Sequence, residues 1–160
     1  MRIQLFAVGR MKSGPERELA ERYFDRFAKV APPLGLEFGG VSEVQESRAR
    51  DADQRKREEA AKLSELLGAG TVLILLDERG KNLSSADFAA MIAKHRDGGA
   101  RAMTFAIGGA DGHAEDSRRK AQMVISFGAM TLPHQITRIL IAEQLYRAAT
   151  ILSGHPYHRE

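Results

Sequence analysis

The hydrophobic positions of this chain form two patterns that alternate along its length. Short apolar runs occupy residues 2–8, 71–76 and 102–107, and such runs are typical of strands covered on both faces of a parallel sheet. Between them, apolar residues recur at helical spacing, as they do from the Ser13-Gly14-Pro15 turn to Pro32-Pro33. The alternation of strand and helix predicts an α/β fold.

The same patterns set the limits of the remaining elements. Alternation of Leu34, Leu36 and Phe38 predicts a strand that extends to Val44. Residues 77–80 are predicted to form a loop, and Ser84 is expected to cap the next helix. The other predicted elements are helices over 51–67, 114–122 and 133–152 and a last strand over 123–127.

Taken together, the elements predict a single domain over residues 1–160, with a mostly parallel sheet flanked by helices on both faces. The absence of cysteine removes disulfides, thiol nucleophiles and cysteine metal sites, and it suits a reducing cytoplasm. Neither a membrane span nor a signal peptide is predicted, because the apolar runs are too short. The formal charge of +3 permits an RNA or nucleotide partner without requiring one.

Three predicted strand ends carry candidate chemistry, because ligands of parallel α/β sheets bind beyond the carboxyl ends of the strands. They are Leu76-Asp77, the glycine-rich run 107–112 and the run 127–132. The GGADG sequence at 108–112 is neither a dinucleotide fingerprint nor a phosphate-binding P-loop. A tight turn explains this run as well as a ligand site does. The second glycine-bearing loop at 127–132 favours a cofactor site lined by backbone.

The predicted helix over 133–152 has more apolar surface than one sheet face can cover. One face carries residues 141, 145, 148 and 152, and a second carries Ile136 and Leu140. Glu143 and Arg147 continue this second stripe, either as a surface ion pair or as a pair held at a partner interface or in a polar cleft. The second stripe favours a homodimer.

Reactive side chains collect in the terminal run His155-Pro156-Tyr157-His158-Arg159-Glu160. A metal site is not expected here, since two histidines lack further ligands at a useful spacing. A disordered tail is the commoner structure for a chain end. As an RNA contact, Arg159 could reach a phosphate, Tyr157 could stack on a base and His158 could exchange a proton.

Several of these stretches resemble one known family. The residues that carry the resemblance are TLPH at 131–134, Arg138, AEQLYRA at 142–148 and HPYHRE at 155–160. They are similar to the RlmH family, the SPOUT-superfamily methyltransferases of large-subunit ribosomal RNA. The opening LFAVG at 5–9 and the overall length agree with it as well.

The resemblance implies a fold, a cofactor and a substrate. It implies a SPOUT-type α/β knot with a C-terminal trefoil knot and a homodimer with shared sites. It also implies methylation of N3 of a pseudouridine in 23S rRNA on the assembled ribosome, with S-adenosyl-L-methionine as cofactor. The cofactor positions carried over are Leu76, Gly108, Phe127, Gly128, Ala129, Met130, Thr131 and Leu132.

This chain departs from relatives at two places in the cofactor loops. FGAM at 127–130 stands where Leu-Ser-Ala-Leu is more typical, and Ala110-Asp111 stands where Pro-Glu is commoner. Backbone contacts should survive the first change, and the second keeps an acid but makes it shorter.

The predicted roles near the substrate follow from the resemblance and from side-chain chemistry. We expect Tyr157, His158, Arg159 and Glu143 to serve catalysis, with Arg159 and His158 near the base and Tyr157 positioning it. Residues expected to contact the substrate are His134, Arg138, Arg147 and His155. Two alternatives remain open: a nucleotide-binding enzyme that holds phosphate at Gly108, and a non-catalytic ribosome-binding or assembly module.

Overall fold

A five-stranded parallel sheet organises the structure, a computed structural model that describes residues 1–158. The strands are β1 (Arg2–Val8), β2 (Glu37–Val44), β3 (Thr71–Asn82), β4 (Ala102–Ile107) and β5 (Met123–Ser126). The helices are α1 (Pro15–Val30), α2 (Ala52–Leu66), α3 (Ser85–Asp97), α4 (Glu115–Lys120) and α5 (His134–Ser153), with a 3₁₀ turn at Pro32–Leu34. The predicted α/β class is confirmed.

The strand order in the sheet is β2-β1-β4-β3-β5, and every neighbouring pair is parallel. Ala102 at the start of β4 pairs with Arg2 on one side and with Thr71 on the other. The central strands are therefore aligned at their amino ends. Their carboxyl ends meet at one edge of the sheet, where the three glycine-bearing or acidic loops were expected to converge.

Helices cover both faces of the sheet, as predicted. Alternate residues of each central strand point to opposite faces, so Ile74 and Phe105 join one core and Leu75 and Ala106 join the other. The larger core is completed by α1, α3 and α5, and the smaller by Leu63 of α2. The predicted inner face of α5 is confirmed, since Ile141, Leu145 and Ala148 are buried.

Two helices begin at capping side chains, and the predicted cap at Ser84 is confirmed. The Asp51 carboxylate accepts a hydrogen bond from the Gln54 amide at 2.8 Å, and Ser84 Oγ accepts one from the Asp87 amide at 3.1 Å. The expected strand from Leu34 is wrong at its start. Residues 32–34 form a 3₁₀ turn that ends at Gly35 with a φ of 70°, so β2 begins only at Glu37.

The predicted loop over 77–80 is also wrong, because β3 continues through it to Asn82. Pairing with β5 shifts register after Leu76 and resumes where Lys81 meets Ile125. Gly80 makes this path possible. A Cβ atom at Gly80 would lie 2.5 Å from the carbonyl carbon of Ile125, so only glycine lets the two backbones pass this closely. The expected trefoil knot stays a prediction.

A buried ion pair ties α5 to the carboxyl ends of β1 and β2. The Arg138 side chain is 4% exposed and donates hydrogen bonds to the Glu43 carboxylate and to the Gly9 carbonyl. Glu43 also accepts from the Met11 amide at 3.0 Å. One arginine thus satisfies groups from two other segments and fixes the first turns of α5 on the sheet edge.

Replacing Arg138 with Met should destabilise the protein strongly. The change leaves the Glu43 carboxylate and the Gly9 carbonyl without their partner in a mostly buried place, and we expect a loss of about 3 kcal/mol in the free energy of unfolding. Urea denaturation measures it. Arg17→Met, which breaks an exposed pair with Glu21 within α1, is the matched control and should have little effect. Equal losses in the two variants would contradict the structural role of Arg138.

Candidate active site

A cavity of about 270 Å³ opens at the carboxyl edge of the sheet, between the ends of β3, β4 and β5. The three loops singled out from the sequence meet there. Seven of the eight predicted cofactor residues line it, and Ala129 is the exception. The seven are Leu76, Gly108, Phe127, Gly128, Met130, Thr131 and Leu132.

One wall of the cavity consists of backbone rather than side chains. A Cβ atom at Gly108 would lie 3.0 Å from the Gly112 carbonyl group and 3.2 Å from the His113 ring. Gly112 has a φ of 79°, a conformation that L side chains rarely adopt, and it closes the loop by donating to the Gly109 carbonyl at 2.9 Å. The loop therefore presents peptide groups to a ligand at close range.

Carboxylates also line the cavity, and most are held by arginines. Asp77 is 7% exposed and accepts hydrogen bonds from Arg118 and from Arg79, the latter at 3.2 Å. Burial alone would raise the pKa of Asp77. The hydrogen bonds from Arg79 and the charge of Arg118 outweigh burial and lower this pKa, so Asp77 stays ionised.

Arg55 of α2 fixes the position of the glycine loop. Its guanidinium forms a two-pronged pair with the Asp111 carboxylate, at 2.6 Å through Nε and 2.9 Å through Nη2. The hydrogen bonds from Arg55 lower the pKa of Asp111. Asp111 thus has a partner that anchors the loop.

A hydrogen bond joins the other two walls of the cavity. Thr131 Oγ1 donates to Glu78 Oε2 at 2.8 Å, which connects the loop after β5 to the irregular part of β3. Within the loop after β5, Ser126 Oγ accepts a hydrogen bond from the Gly128 amide at 3.0 Å. Met130 projects outward from the same loop with 80% of its surface exposed.

His113 is a cavity residue that was not predicted from the sequence. Its Nε2 lies 3.1 Å from the Leu76 carbonyl, so it connects the glycine loop to the end of β3. Burial lowers its pKa, partly offset by the hydrogen bond to Leu76 and by the charge of Asp77. A single histidine after a glycine run gives no sequence signal. Only the loop's fold brings it to the carbonyl of residue 76.

We expect His113 to make the fold sensitive to mild acid. Its pKa in the folded state lies below the value of about 6.5 in an unfolded chain, so the unfolded chain takes up a proton first. The stabilising effect is complete above pH ~6.5 and is lost as the pH falls through the folded-state value. His113→Gln keeps a donor without titrating, so its free energy of unfolding should depend less on pH between about 7 and 5. His95→Gln, on α3, is the control and should retain the wild-type dependence.

The terminal residues form a second cluster, packed against α5 and α1 of the same chain. The Tyr157 hydroxyl donates to Glu143 Oε1 at 3.1 Å, and its ring lies 4.7 Å from that of Tyr146 and 4.8 Å from the Arg147 guanidinium. Arg147 also binds Glu143 with two hydrogen bonds, at 2.9 and 2.6 Å. The predicted helix pair and the predicted tail therefore form one polar and aromatic unit.

This second cluster sets the protonation of Tyr157. Burial, followed by the hydroxyl of Tyr23 and the charge of Glu143, raises the pKa of Tyr157 to about 12. Tyr157 is therefore a protonated hydrogen-bond donor at neutral pH. His158 Nδ1 lies 3.4 Å from Arg147 Nη1, and since a guanidinium only donates, this nitrogen acts as an acceptor.

The predicted site residues thus fall into three places. His134 lines the cavity at the first turn of α5, whereas Arg138 is buried in the ion pair with Glu43 rather than facing the cavity. Arg159 lies outside the described residues. The others belong to the terminal cluster: Glu143, Arg147, His155, Tyr157 and His158.

The terminal cluster lies further along α5 than the cavity. Glu143, which accepts the hydrogen bond of Tyr157, comes nine residues after His134, so the two lie roughly 14 Å apart along the helix axis. The cavity is at the amino end of the helix, and the tail packs against its middle and its carboxyl half.

Neither a metal centre nor a membrane helix is found in the part of the chain that the structure describes. Residues 1–158 contain no group of three or more side chains placed to hold a metal ion. In the same range, no helix is both long and apolar enough to cross a bilayer.

Comparison with known proteins decides the family. Residues 1–158 match the family described as "Predicted SPOUT methyltransferase". The chain belongs to the SPOUT methyltransferase family. A Brucella anthropi protein named "Ribosomal RNA large subunit methyltransferase H" is 64% identical over 159 residues, which cover 99% of both chains. Proteins of that name from Brucella abortus and Mesorhizobium japonicum are 61% and 59% identical, with the same coverage.

Membership in the SPOUT family confirms the resemblance found in the sequence. It also gives the cavity a general chemistry, because SPOUT methyltransferases as a class use S-adenosylmethionine. The chain is thus a methyltransferase whose cavity at the carboxyl edge is the candidate cofactor site.

Proposed function

We propose that this chain transfers a methyl group from S-adenosyl-L-methionine to N3 of a pseudouridine in 23S rRNA of the assembled ribosome, in the cytoplasm. The observation that carries the proposal is whole-chain identity of 59–64% to relatives named for methylation of large-subunit ribosomal RNA. The cavity supports it, because the expected cofactor loops line that cavity. The choice of pseudouridine N3 rests on the resemblance alone.

The cavity fits S-adenosylmethionine in size and in chemistry. Its volume is near the lower end of the ~300–1,000 Å³ usual for ligand pockets, as suits a bent cofactor. Leu76, Ile107 and Phe127 provide apolar surface for an adenine ring. Glu78 lines the cavity without an ion pair to any described residue, and its negative charge suits a ligand with sulfonium and ammonium groups.

The bound cofactor supplies an electrophilic methyl group, so the protein's task is to position and deprotonate the substrate nitrogen. The peptide groups of 108–112 and 127–132 hold the cofactor at close range. Tyr157 is protonated at neutral pH, so it donates a hydrogen bond and positions the substrate nucleobase. It does not serve as the general base that removes the proton. His158 and Arg159 remain the candidates for receiving the proton or stabilising the resulting anion.

We propose a homodimer in which each cavity is completed by the partner's tail. In one chain Glu143 holds the Tyr157 hydroxyl roughly 14 Å along α5 from His134 at the cavity, and Tyr157 does not line its own cavity. Two antiparallel copies of α5 would place the tail of one chain beside the cavity of the other. Ile136, which is 39% exposed on the outer stripe of α5, is suited to such a contact.

One assay tests the function. Purified protein is incubated with labelled S-adenosylmethionine and assembled ribosomes, from cells with and without the prior pseudouridine, and the label is mapped on the RNA. We expect label at one pseudouridine of 23S rRNA and none when uridine replaces it. Ribosome binding without transfer would indicate an assembly module instead. Binding of ATP or NAD without affinity for S-adenosylmethionine would indicate a nucleotide enzyme.

A further inference from the structure

Four exposed cations follow β1 and β2 at the same sheet edge as the cavity. They are Arg10 and Lys12 in the loop after β1, and Arg48 and Arg50 in the segment after β2. All four side chains are exposed, and none forms an ion pair with any residue from 1 to 158. We call these four residues the basic rim.

The pairing of β1 with β2 brings the two halves of the basic rim together. Val8 pairs with Val44 at the ends of the two strands, and the Gly9 amide donates to the Val44 carbonyl at 2.8 Å. A Cβ atom at Gly9 would lie 3.2 Å from Glu46 Oε1, so the two segments still touch beyond the last strand pair. The basic rim is therefore one surface.

Arg55 holds this surface against the cavity wall. Its Nη1 donates to the carbonyls of Ala49 and Arg50, at 2.9 and 3.0 Å. Its other two nitrogens bind the carboxylate of Asp111, in the loop that lines the cavity. One guanidinium thus contacts both the backbone of the basic rim and the glycine loop that lines the cavity. The basic rim and the cavity are therefore direct neighbours.

Few acids lie in the loops of the basic rim itself, although Glu58 and Glu59 of α2 accept hydrogen bonds from Ser47 beside Arg48. Glu43 is paired with Arg138, and Asp51 accepts the capping hydrogen bond of α2. Glu46 is the remaining carboxylate in the loops 9–14 and 45–50, against four cations. The cavity, by contrast, is lined by Asp77, Glu78 and Asp111. Asp77 and Asp111 are paired with arginines, so Glu78 is the cavity carboxylate without an ion pair to a described residue.

We propose that the basic rim binds the phosphates of the RNA strand next to the target nucleotide. This inference rests on the proposed function and adds where the RNA backbone lies. A strand whose base enters the cavity must pass its edge, and the neighbouring cations are free to replace counterions on its phosphates. Such contacts position the strand without reading its sequence. Inside the cavity, the negative charge of Glu78 disfavours phosphate, so the backbone is expected at the basic rim.

A charge-matched pair of variants tests the basic rim. The rim variant carries Arg10→Gln, Lys12→Gln, Arg48→Gln and Arg50→Gln. The control variant also loses four charges, from exposed cations that form no ion pair with described residues and lie towards the opposite sheet edge. Its changes are Lys29→Gln, Lys94→Gln, Arg101→Gln and Lys120→Gln.

Three quantities are measured for each protein: KM for assembled ribosomes over a range of salt, binding of full-length 23S rRNA, and affinity for S-adenosylmethionine. In the rim variant we expect KM to rise about tenfold or more at physiological salt, and the slope of log affinity against log salt to shrink by roughly three. Cofactor affinity should match wild type. The control variant should keep most of the wild-type slope.

The outcomes separate the two proposals. If the wild-type protein transfers no methyl group to ribosomes, the proposed function is refuted. Comparing the binding of 23S rRNA by the rim variant and the control variant then still shows whether the basic rim binds RNA. If the wild type is active and the rim variant matches the control in KM, RNA binding and salt slope, the basic rim is not the RNA surface and the inference fails.

Discussion

Deleting Tyr157 to Glu160 should abolish methyl transfer while the protein still folds and binds S-adenosylmethionine. Neither Tyr157 nor His158 lines the cavity, so we expect its walls to keep their structure without the tail. The deletion removes the groups expected to position the base and handle its proton, and losses of 10²-fold or more are usual for such groups. Single-turnover transfer to ribosomes and cofactor titration measure the two effects separately.

A mixing experiment shows whether the tail acts across the dimer. The tail-deleted chain is mixed with a chain whose cavity is blocked by Gly108→Val, each inactive alone. Random pairing gives half heterodimers, each with one complete site if the tail serves the partner, so about a quarter of wild-type activity should return. If no activity returns although heterodimers form, the tail does not complete the partner's cavity.

Gly80→Ala should be among the most damaging single methyl additions in this chain. The new Cβ would meet the backbone of Ile125 at 2.5 Å, and backbone atoms cannot rotate away as a side chain can. We expect a loss of about 3 kcal/mol or more in the free energy of unfolding, together with weaker cofactor binding, since β3 and β5 both end at the cavity. Urea unfolding midpoints measure the first effect.

Gly68→Ala is the matched control for Gly80→Ala. Its nearest neighbour would be a side-chain oxygen of Thr71 at 4.0 Å, and its φ is not in the left-handed region. The substitution should be neutral or slightly stabilising, because alanine restricts the unfolded chain. A Gly80→Ala protein as stable as this control would mean that the two backbones do not cross as closely as described.

Much of the architecture could be predicted from the sequence because its signals are local. The runs at 71–76 and 102–107 are apolar except for Thr71 and Thr104, as is typical of strands covered on both faces. Asp51 and Ser84 are residue types that cap helices, and each stands directly before a helix. The extension of β3 past Leu76 could not be predicted, because DERGKN carries no strand pattern. It is a strand only through its pairing with β5.

The sequence indicated which loops line the cavity, but it did not indicate which partners the charged side chains would meet. Glycines mark the loops at 108 and 128 whatever their surroundings, and both lie in the cavity. The roles of charged residues depend on which partner the fold brings near. Arg138 resembles a ligand contact in sequence but meets Glu43, 95 positions away, and His113 meets the carbonyl of Leu76. Such long-range pairs leave no local pattern.

The segments that form the walls of the cavity are synthesised at different times, and this has a consequence for how the protein matures. Two walls come from residues 76–78 and 107–113, but the third comes from 125–137, after most of the chain has been made. Domains fold during synthesis from the amino terminus onward. A nascent chain that has not yet released residue 137 therefore has no complete cofactor site. The methyltransferase becomes competent only after the last wall has emerged, so cofactor binding can serve as a reporter of completed folding.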